Sequence, residues 1–175
     1  MPTQYTTLNK IKSHDPCTSG WTKLLIGLGK TRSDDEPLPF TRILEINGIA
    51  DAIWALRTCD DRNAVLTYAA DCAEHVVHIY EAQYPDDPRP RNAISTLRRY
   101  IAGEATEVEL RAAARAAACA AADAADRAAI AAYAAVCAAD AAAYSAADAA
   151  ARAAADAAER EWQTARYRKL FGGAA

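Results

Sequence analysis

The sequence has few of the features that mark secreted, membrane-spanning or nucleic-acid-binding proteins. Its five cysteines are scattered and form no C-x-x-C pair, so the sequence indicates neither a disulfide framework nor a zinc motif. The polar N-terminus carries no signal peptide, and no apolar run of about 18 residues is free of charge. These absences predict a cytoplasmic protein with reduced thiols and no membrane span. The net charge of −3 lacks the basic excess of a general nucleic-acid binder, so nucleic acid is not favoured as a partner.

The segment Gly29-Lys30-Thr31 has the last residues of a phosphate-binding loop, but the rest of that motif is missing. The motif requires a glycine five residues before Gly29, and this position holds Leu24. A buried strand should also lead into the loop, whereas Trp21, Leu24 and Leu28 recur at helical spacing. The sequence elsewhere offers no motif that joins a nucleophile to a base, so we predict no enzyme, no catalytic residue and no cofactor.

Residues 1–103 have the pattern of an ordinary helical domain with short loops. Apolar residues recur at intervals of three and four, and no segment alternates with the period of two that indicates a strand. Acidic pairs precede several apolar segments and predict helix starts, while glycines predict helix ends. The predicted helices are residues 21–28, a helix that starts around Ser33–Pro37 and ends at Asn47-Gly48, residues 49–56, a helix that starts at Asp60-Asp61, and one from Pro90 to Gly103.

Residues 104–171 contain neither glycine nor proline, and 36 of the 72 residues from 104 onward are alanine. Alanine has the highest helix propensity, and Thr106 and Glu109 form a capping box, so a helix is predicted from this point. Its polar and large side chains fall within about 160° of the circumference, which leaves an opposite face made of methyl groups. Such a face lets another helix approach closely, within this chain or in a homo-oligomer.

Both parts together predict an all-α protein, a helical bundle formed by one domain over residues 1–175. Residues 1–103 would form its mixed helical part, and residues 104–171 a long Ala-rich helix or a helical hairpin. The segment ARYRKLF, residues 165–171, is predicted to be a small basic and aromatic tip.

Candidate binding residues are arginines near aromatic rings, paired histidines, and acidic or tyrosine side chains on exposed faces. Arg57 lies one turn beyond Trp54, where a guanidinium group can stack on an indole ring. Salt bridges that fix loops are the alternative role for the arginines, and helix capping is the alternative for the acidic pairs. The predicted residues for binding a ligand or partner are Asp34, Asp35, Trp54, Arg57, His75, His78, Arg89, Arg91, Tyr133, Asp140 and Tyr144.

His75 and His78 are one turn apart and close in sequence to Cys72, which raises the question of a metal site. Structural zinc requires four ligands, and the usual ligand spacings are absent. Ordinary core or surface histidines explain the pattern better, so no metal site is predicted.

Three segments resemble the Imm5-like family of immunity proteins, which are bacterial and prophage-associated helical proteins with an Ala-rich C-terminal part. These segments are GKTRSDDEPLPFTRILEINGIADAIWALR (29–57), YPDDPRPRNAI (84–94) and GEATEVELRAAARAAACAAA (103–122). The resemblance implies a non-catalytic protein that binds a toxin domain and blocks its active site through a shape-matched, partly charged surface. It supplies no established active-site residue to transfer to this chain.

Two other functions stay open. A phage anti-defence protein would sequester a nucleotide-derived immune signal or block a host defence factor. Sequestering would require a polar pocket, for which Arg57, Arg89 and Arg91 beside Trp54 and the histidines are the candidates. A structural module would dimerise through its alanine face. The predicted partner is therefore a toxin, a defence factor, a small nucleotide-like ligand or a second copy of the chain.

Overall fold

The part of the chain that the computed structural model describes contains eight α-helices and one minimal sheet. The backbone is described for residues 3–137 and 142–172, and the side chains in these ranges are described except at 121 and 124–155. The prediction of an all-α helical bundle is confirmed. In chain order the elements are β1 (Tyr5–Thr6), α1 (Leu8–Lys12), α2 (Thr18–Gly27), β2 (Leu38–Pro39), α3 (Phe40–Asn47), α4 (Ile49–Ala55), a 3-10 turn (Leu56–Thr58), α5 (Arg62–Gln83), α6 (Arg89–Ile101), α7 (Glu107–Cys137) and α8 (Ala142–Phe171).

The segment before α3 differs from its prediction. Residues 33–37 form a loop and start no helix, and Leu38 and Pro39 pair antiparallel with Thr6 and Tyr5. The prediction of a helix start there, and the prediction of no strand, are both wrong. The reason is that a residue before proline is driven towards extended backbone, and both Glu36 and Leu38 precede one.

The described chain divides into two compact units. The first comprises residues 1–68 together with 158–175, and the second comprises residues 69–157. The sequence-based prediction of a single domain stays a prediction.

An aromatic cluster forms the core of the first unit. Tyr167 and Phe171 on α8 are completely buried, with ring centroids 4.8 Å apart. Tyr68 lies 5.7 Å from Tyr167, and Phe40 lies 5.9 Å from Phe171. The Tyr167 hydroxyl donates a 3.1 Å hydrogen bond to the Ala52 carbonyl. The segment 165–171, which the sequence predicted to be a small basic and aromatic tip, therefore has its aromatic side chains in the core.

The two distant stretches of the first unit are joined through their backbones. The Gln4 N–H donates to the Phe171 carbonyl at 3.1 Å, and Thr3 forms a bridge with Gly172. In the same unit, the buried Thr58 hydroxyl donates to the Ala55 carbonyl at 2.7 Å. Since a hydroxyl has one proton, the Thr6 hydroxyl must donate to Thr58 across their 2.7 Å contact.

Helices α2 and α3 approach closely at Gly27. A Cβ atom added at this position would overlap Ile46 Cγ2 and lie 3.0 Å from Ile46 Cγ1. The branched side chain of isoleucine is stiff in a helix, so it cannot easily move away. The contact therefore depends on the absence of a side chain at Gly27.

We expect Gly27→Ala to destabilise the first unit by about 1–2 kcal/mol, although this substitution normally favours a helix by up to about 1 kcal/mol. The overlap with Ile46 outweighs the propensity gain. Urea unfolding measures the change, and the same substitution in an Ile46→Ala background is the control. There the cost should disappear; an equal cost in both backgrounds would show that the overlap is not its cause.

Ion pairs connect α5 and α6 in the second unit. Arg98 contacts Asp71 at 2.6 Å and Glu74 at 2.7 Å, and Arg91 contacts Glu81 at 2.6 Å. The numbers rise along one helix as they fall along the other, so the two helices run antiparallel. The Arg91 guanidinium binds both Glu81 oxygens through two N–H groups, which is the strongest geometry for this type of pair.

Helix α7 begins with the predicted capping box. The Thr106 hydroxyl accepts from the Glu109 N–H at 3.3 Å, and a Glu109 carboxylate oxygen accepts from the Thr106 N–H at 2.7 Å. Helix α7 packs along α6, and Ala120 is completely buried. The sequence predicts polar and large side chains on one face of α7 and α8. Most of these side chains lie outside the described set. The choice between one long helix and a hairpin depends on residues 138–141, which also lie outside the described residues.

No segment of the described helices combines the length and the hydropathy that a membrane span requires.

Candidate binding pocket

The first unit contains a cavity of about 120 Å³ lined mainly by α2, α3 and α4. Trp21 and Leu24 of α2 form part of its wall, together with Ile43 of α3 and Trp54 of α4. Three polar side chains also line it, at Cys17, Asn47 and Asp51. The cavity is therefore a mainly apolar space with a small polar group of atoms.

Gly20 allows this polar group to assemble. A Cβ atom at Gly20 would lie 2.8 Å from Asp51 Oδ2 and 3.1 Å from Cys17 Sγ. Both distances are shorter than ordinary contacts, so a side chain here would displace the carboxylate or the thiol. The glycine in α2 thus permits the close approach of the start of α4.

The side-chain amide of Asn47 joins α2 to α4. Its Nδ2 donates to the Gly20 carbonyl at 2.8 Å and to Asp51 Oδ2 at 2.7 Å. Both neighbours can only accept in these bonds, so the NH₂ group must face them and the oxygen must face the other way. Asn47 Oδ1 is buried and has no hydrogen-bond donor among the residues that the structure describes.

Asp51 and Cys17 complete the polar part of the cavity. Asp51 lies in the first turn of α4, and its carboxylate makes no ion pair with any described residue. Cys17 is the N-cap of α2, and its sulfur accepts from the Gly20 N–H at 3.4 Å. Hydrogen bonds with Ser19 and with Gly20 hold the pKa of the Cys17 thiol below its usual value.

Trp54 lines the cavity and also contacts an exposed residue, Arg57. The Arg57 guanidinium lies over the Trp54 ring, 4.1 Å from its centroid, and Arg57 Nε donates to the Trp54 carbonyl at 2.9 Å. The structure thus brings together the two residues that the sequence singled out in the segment DAIWALR. Arg57 itself is exposed.

Arg89, another predicted site residue, lies in the second unit between two carboxylates. It contacts Asp87 and Asp123 through Nη2, at 2.6 Å and 2.7 Å. The Arg89 guanidinium and the Tyr80 hydroxyl hold the pKa of the Asp87 carboxyl well below its usual range. An open depression of about 610 Å³ lies beside this loop, and Asp86 and Asp87 line it together with Arg89. A phosphate bound there would have to compete with carboxylates for the guanidinium group.

The other predicted residues that the structure describes do not line the cavity of the first unit. Arg91 is bound by Glu81, and His75 and His78 are exposed on α5. Within the described residues no three potential ligands are placed to hold a metal ion. Tyr133, Asp140 and Tyr144 are outside the set of described side chains.

Asp34 and Asp35 stabilise the loop before β2 and do not start a helix. Asp34 contacts Lys30 Nζ at 2.6 Å, and this lowers the pKa of the Asp34 carboxyl. The Thr7 hydroxyl donates to Asp35 at 3.5 Å. Lys30 therefore belongs to a local ion pair with Asp34. This is a further argument against a phosphate-binding loop.

The predicted site residues did not include Cys17, Trp21, Asn47 or Asp51. Asn47 marked the end of a predicted helix, and Asp51 lies within the predicted helix 49–56; both also belong to the segment 29–57 that resembles the Imm5-like family. A recognisable signal is the pair Asn47 and Asp51, because two polar side chains four residues apart flank the helix break at Gly48. Their meeting with Gly20 depends on the tertiary fold.

The chain matches the model of the family described as "Imm-5 like putative immunity protein" over residues 56–170. The segments 84–94 and 103–122 lie inside this match, whereas the motif at 29–57 lies almost entirely before it. The comparisons with curated proteins and with solved structures gave no significant match. Since the family model covers more than half of its length, the chain belongs to the Imm-5 like immunity protein family.

Proposed function

We propose that the chain is a non-catalytic inhibitor that binds a toxin domain and blocks its active site. Family membership implies binding of a partner protein. The observation that supports a particular surface is the cavity of the first unit, where Trp21 and Trp54 lie beside Asp51 and where Arg57 stacks on Trp54. Tryptophan and arginine are the residue types that most often carry the binding energy of protein interfaces.

The lining of the cavity argues against catalysis there. Cys17 carries a nucleophilic thiol, but no histidine, lysine or arginine is among the described residues that line the cavity. Thiol catalysis normally uses a basic partner, most often histidine, to activate the nucleophile. The composition of the cavity therefore fits binding better than chemistry.

The dimensions of the cavity also favour a protein partner over a nucleotide-derived signal. Pockets for small molecules usually measure about 300–1,000 Å³, and this one measures about 120 Å³. The depression in the second unit is large enough, but carboxylates already bind its Arg89. We therefore rank sequestration of a nucleotide-like ligand below inhibition of a protein.

The test is a binding and inhibition assay with the product of any toxin gene that neighbours the gene for this chain. We expect a stoichiometric complex with a Kd below about 1 μM, and loss of toxin activity at equimolar inhibitor. Isothermal titration calorimetry measures the affinity, and native mass spectrometry gives the copy number of each chain. An absence of any complex at tens of micromolar protein would contradict the proposal. Stable homodimers without a complex would instead favour the structural module.

A further inference from the structure

The cavity of the first unit has room for one side chain. A water molecule occupies about 30 Å³ of liquid, so the volume of about 120 Å³ corresponds to a few waters or a short chain of heavy atoms. Trp21, Leu24 and Ile43 offer apolar contact along this space. An extended, mostly apolar side chain therefore matches the walls.

The carboxylate in the wall of the cavity shows what the end of that side chain must supply. Asp51 lines the cavity, and its Oδ2 accepts from Asn47 Nδ2 at 2.7 Å. An ionised carboxylate can accept several hydrogen bonds, so the occupant that completes this site must bring a hydrogen-bond donor.

The charge of Asp51 indicates which donor. Its carboxylate accepts one bond from Asn47 and makes no ion pair with a described residue. The start of α4 favours a negative charge there, but no basic side chain is among the described residues that line the cavity. A positive donor would neutralise Asp51, and the two indole rings that line the cavity also attract cations.

We propose that this cavity binds a lysine side chain of the partner protein. The methylene stem lies against Trp21, Leu24 and Ile43, and the ammonium group donates to the Asp51 carboxylate. Lysine fits better than arginine because its ammonium group is a compact charge with three donors, whereas guanidinium is a broad planar fork. This inference rests on the proposed function, since it names the group that the inhibited protein would insert.

The test uses n-pentylammonium chloride as a probe, so it does not require the toxin. The indole N–H signals of Trp21 and Trp54 are followed by NMR at constant ionic strength. Trp162 belongs to the same unit but does not line the cavity, so it serves as an internal control. We expect saturable shifts of Trp21 and Trp54 at roughly millimolar concentration, with Trp162 unchanged.

Two further probes and one variant define the outcome. n-Pentanol has the same stem without the charge, and it should bind roughly tenfold to a hundredfold more weakly. Asp51→Asn can still accept the bond from Asn47, and it should remove the preference for the ammonium probe while leaving pentanol binding unchanged. Circular dichroism confirms that the variant is folded.

Several results would contradict the proposal that the cavity binds a lysine side chain. Equal binding of pentanol and pentylammonium would overturn the cationic assignment, and tighter binding of n-butylguanidinium would replace lysine by arginine. No saturable shift, or an equal shift of Trp162, would remove the site. A toxin complex that forms although the probe does not bind would refute this inference alone, whereas probe binding without a toxin complex would refute the proposed function.

Discussion

Replacing Tyr167 by alanine is expected to lower the free energy of unfolding of the first unit by about 3–5 kcal/mol. The ring is completely buried and packs against Tyr68 and Phe171, at centroid distances of 5.7 Å and 4.8 Å. Its loss leaves a cavity at the junction of α8 with the N-terminal helices. Urea unfolding followed by tryptophan fluorescence measures the change, because Trp21 and Trp54 also belong to this unit.

Two variants provide the controls for Tyr167. Tyr167→Phe keeps the ring and removes the hydrogen bond to the Ala52 carbonyl, so it should cost only about 0.5–1.5 kcal/mol. Ile26→Ala removes a side chain that is 74% exposed on α2 and should change stability by less than about 0.5 kcal/mol. If Tyr167→Ala cost no more than Ile26→Ala, the aromatic cluster would not be the core of this unit.

Tyr167→Phe should also change how stability depends on alkaline pH. Burial raises the pKa of the Tyr167 phenol, whereas an unfolded chain ionises tyrosine near pH 10. The stability contributed by the neutral phenol is thus present below about pH 10 and is lost as the pH rises above it. The phenylalanine variant lacks this group, so its stability should fall less steeply there.

Trp54→Ala is expected to raise the Kd for the inhibited protein by about 30- to 700-fold, which corresponds to about 2–4 kcal/mol. Trp54 lines the cavity and also holds the Arg57 guanidinium at 4.1 Å, so its removal affects both the wall and the neighbouring charge. Isothermal titration calorimetry with the toxin measures the affinity. Circular dichroism checks that the first unit still unfolds at a similar temperature.

The matched control for Trp54 is Ile26→Ala in the same unit. Ile26 is more exposed and does not line the cavity, so its removal should leave the Kd within about twofold of the unchanged protein. Arg57→Ala should have an intermediate effect, because it removes the stacked charge and retains the ring. An unchanged Kd for Trp54→Ala would place the interface elsewhere on the chain.

Local signals in the sequence were sufficient for several elements. The capping box of Thr106 and Glu109 located the start of α7, and Pro90 and Gly103 enclosed α6. The break at Asn47-Gly48 was also correct, since Gly48 has φ of 92°, which favours glycine. These predictions succeeded because each depends on residues within one or two helical turns.

Features that depend on distant residues were missed. Residues 165–171 contain three basic side chains, and this composition suggested a small basic and aromatic tip. The helical spacing of Tyr167, Leu170 and Phe171 instead places their side chains on one buried face, while the basic residues lie between them. The partners of that face come from the N-terminal helices, and nothing in the local sequence identifies them.

The cavity could not be predicted for the same reason. Gly20, Asn47 and Asp51 come from three different helices, and each residue has an ordinary local role. Glycine lowers helix propensity, asparagine ends a helix and aspartate favours a helix start. Only their contact in three dimensions leaves Asn47 Oδ1 without a donor.

The pairing of Gln4 with Phe171 imposes an order of events during protein synthesis. The second unit consists of one continuous stretch, so its residues are synthesised together, whereas the first unit combines residues 1–68 with residues 158–175. In the first unit, the apolar surface of the N-terminal strand and helices stays uncovered until residue 171 has been synthesised. A nascent chain that stalls shortly before that point would therefore lack the aromatic core of the first unit, and the proposed inhibition should be absent from prematurely terminated products.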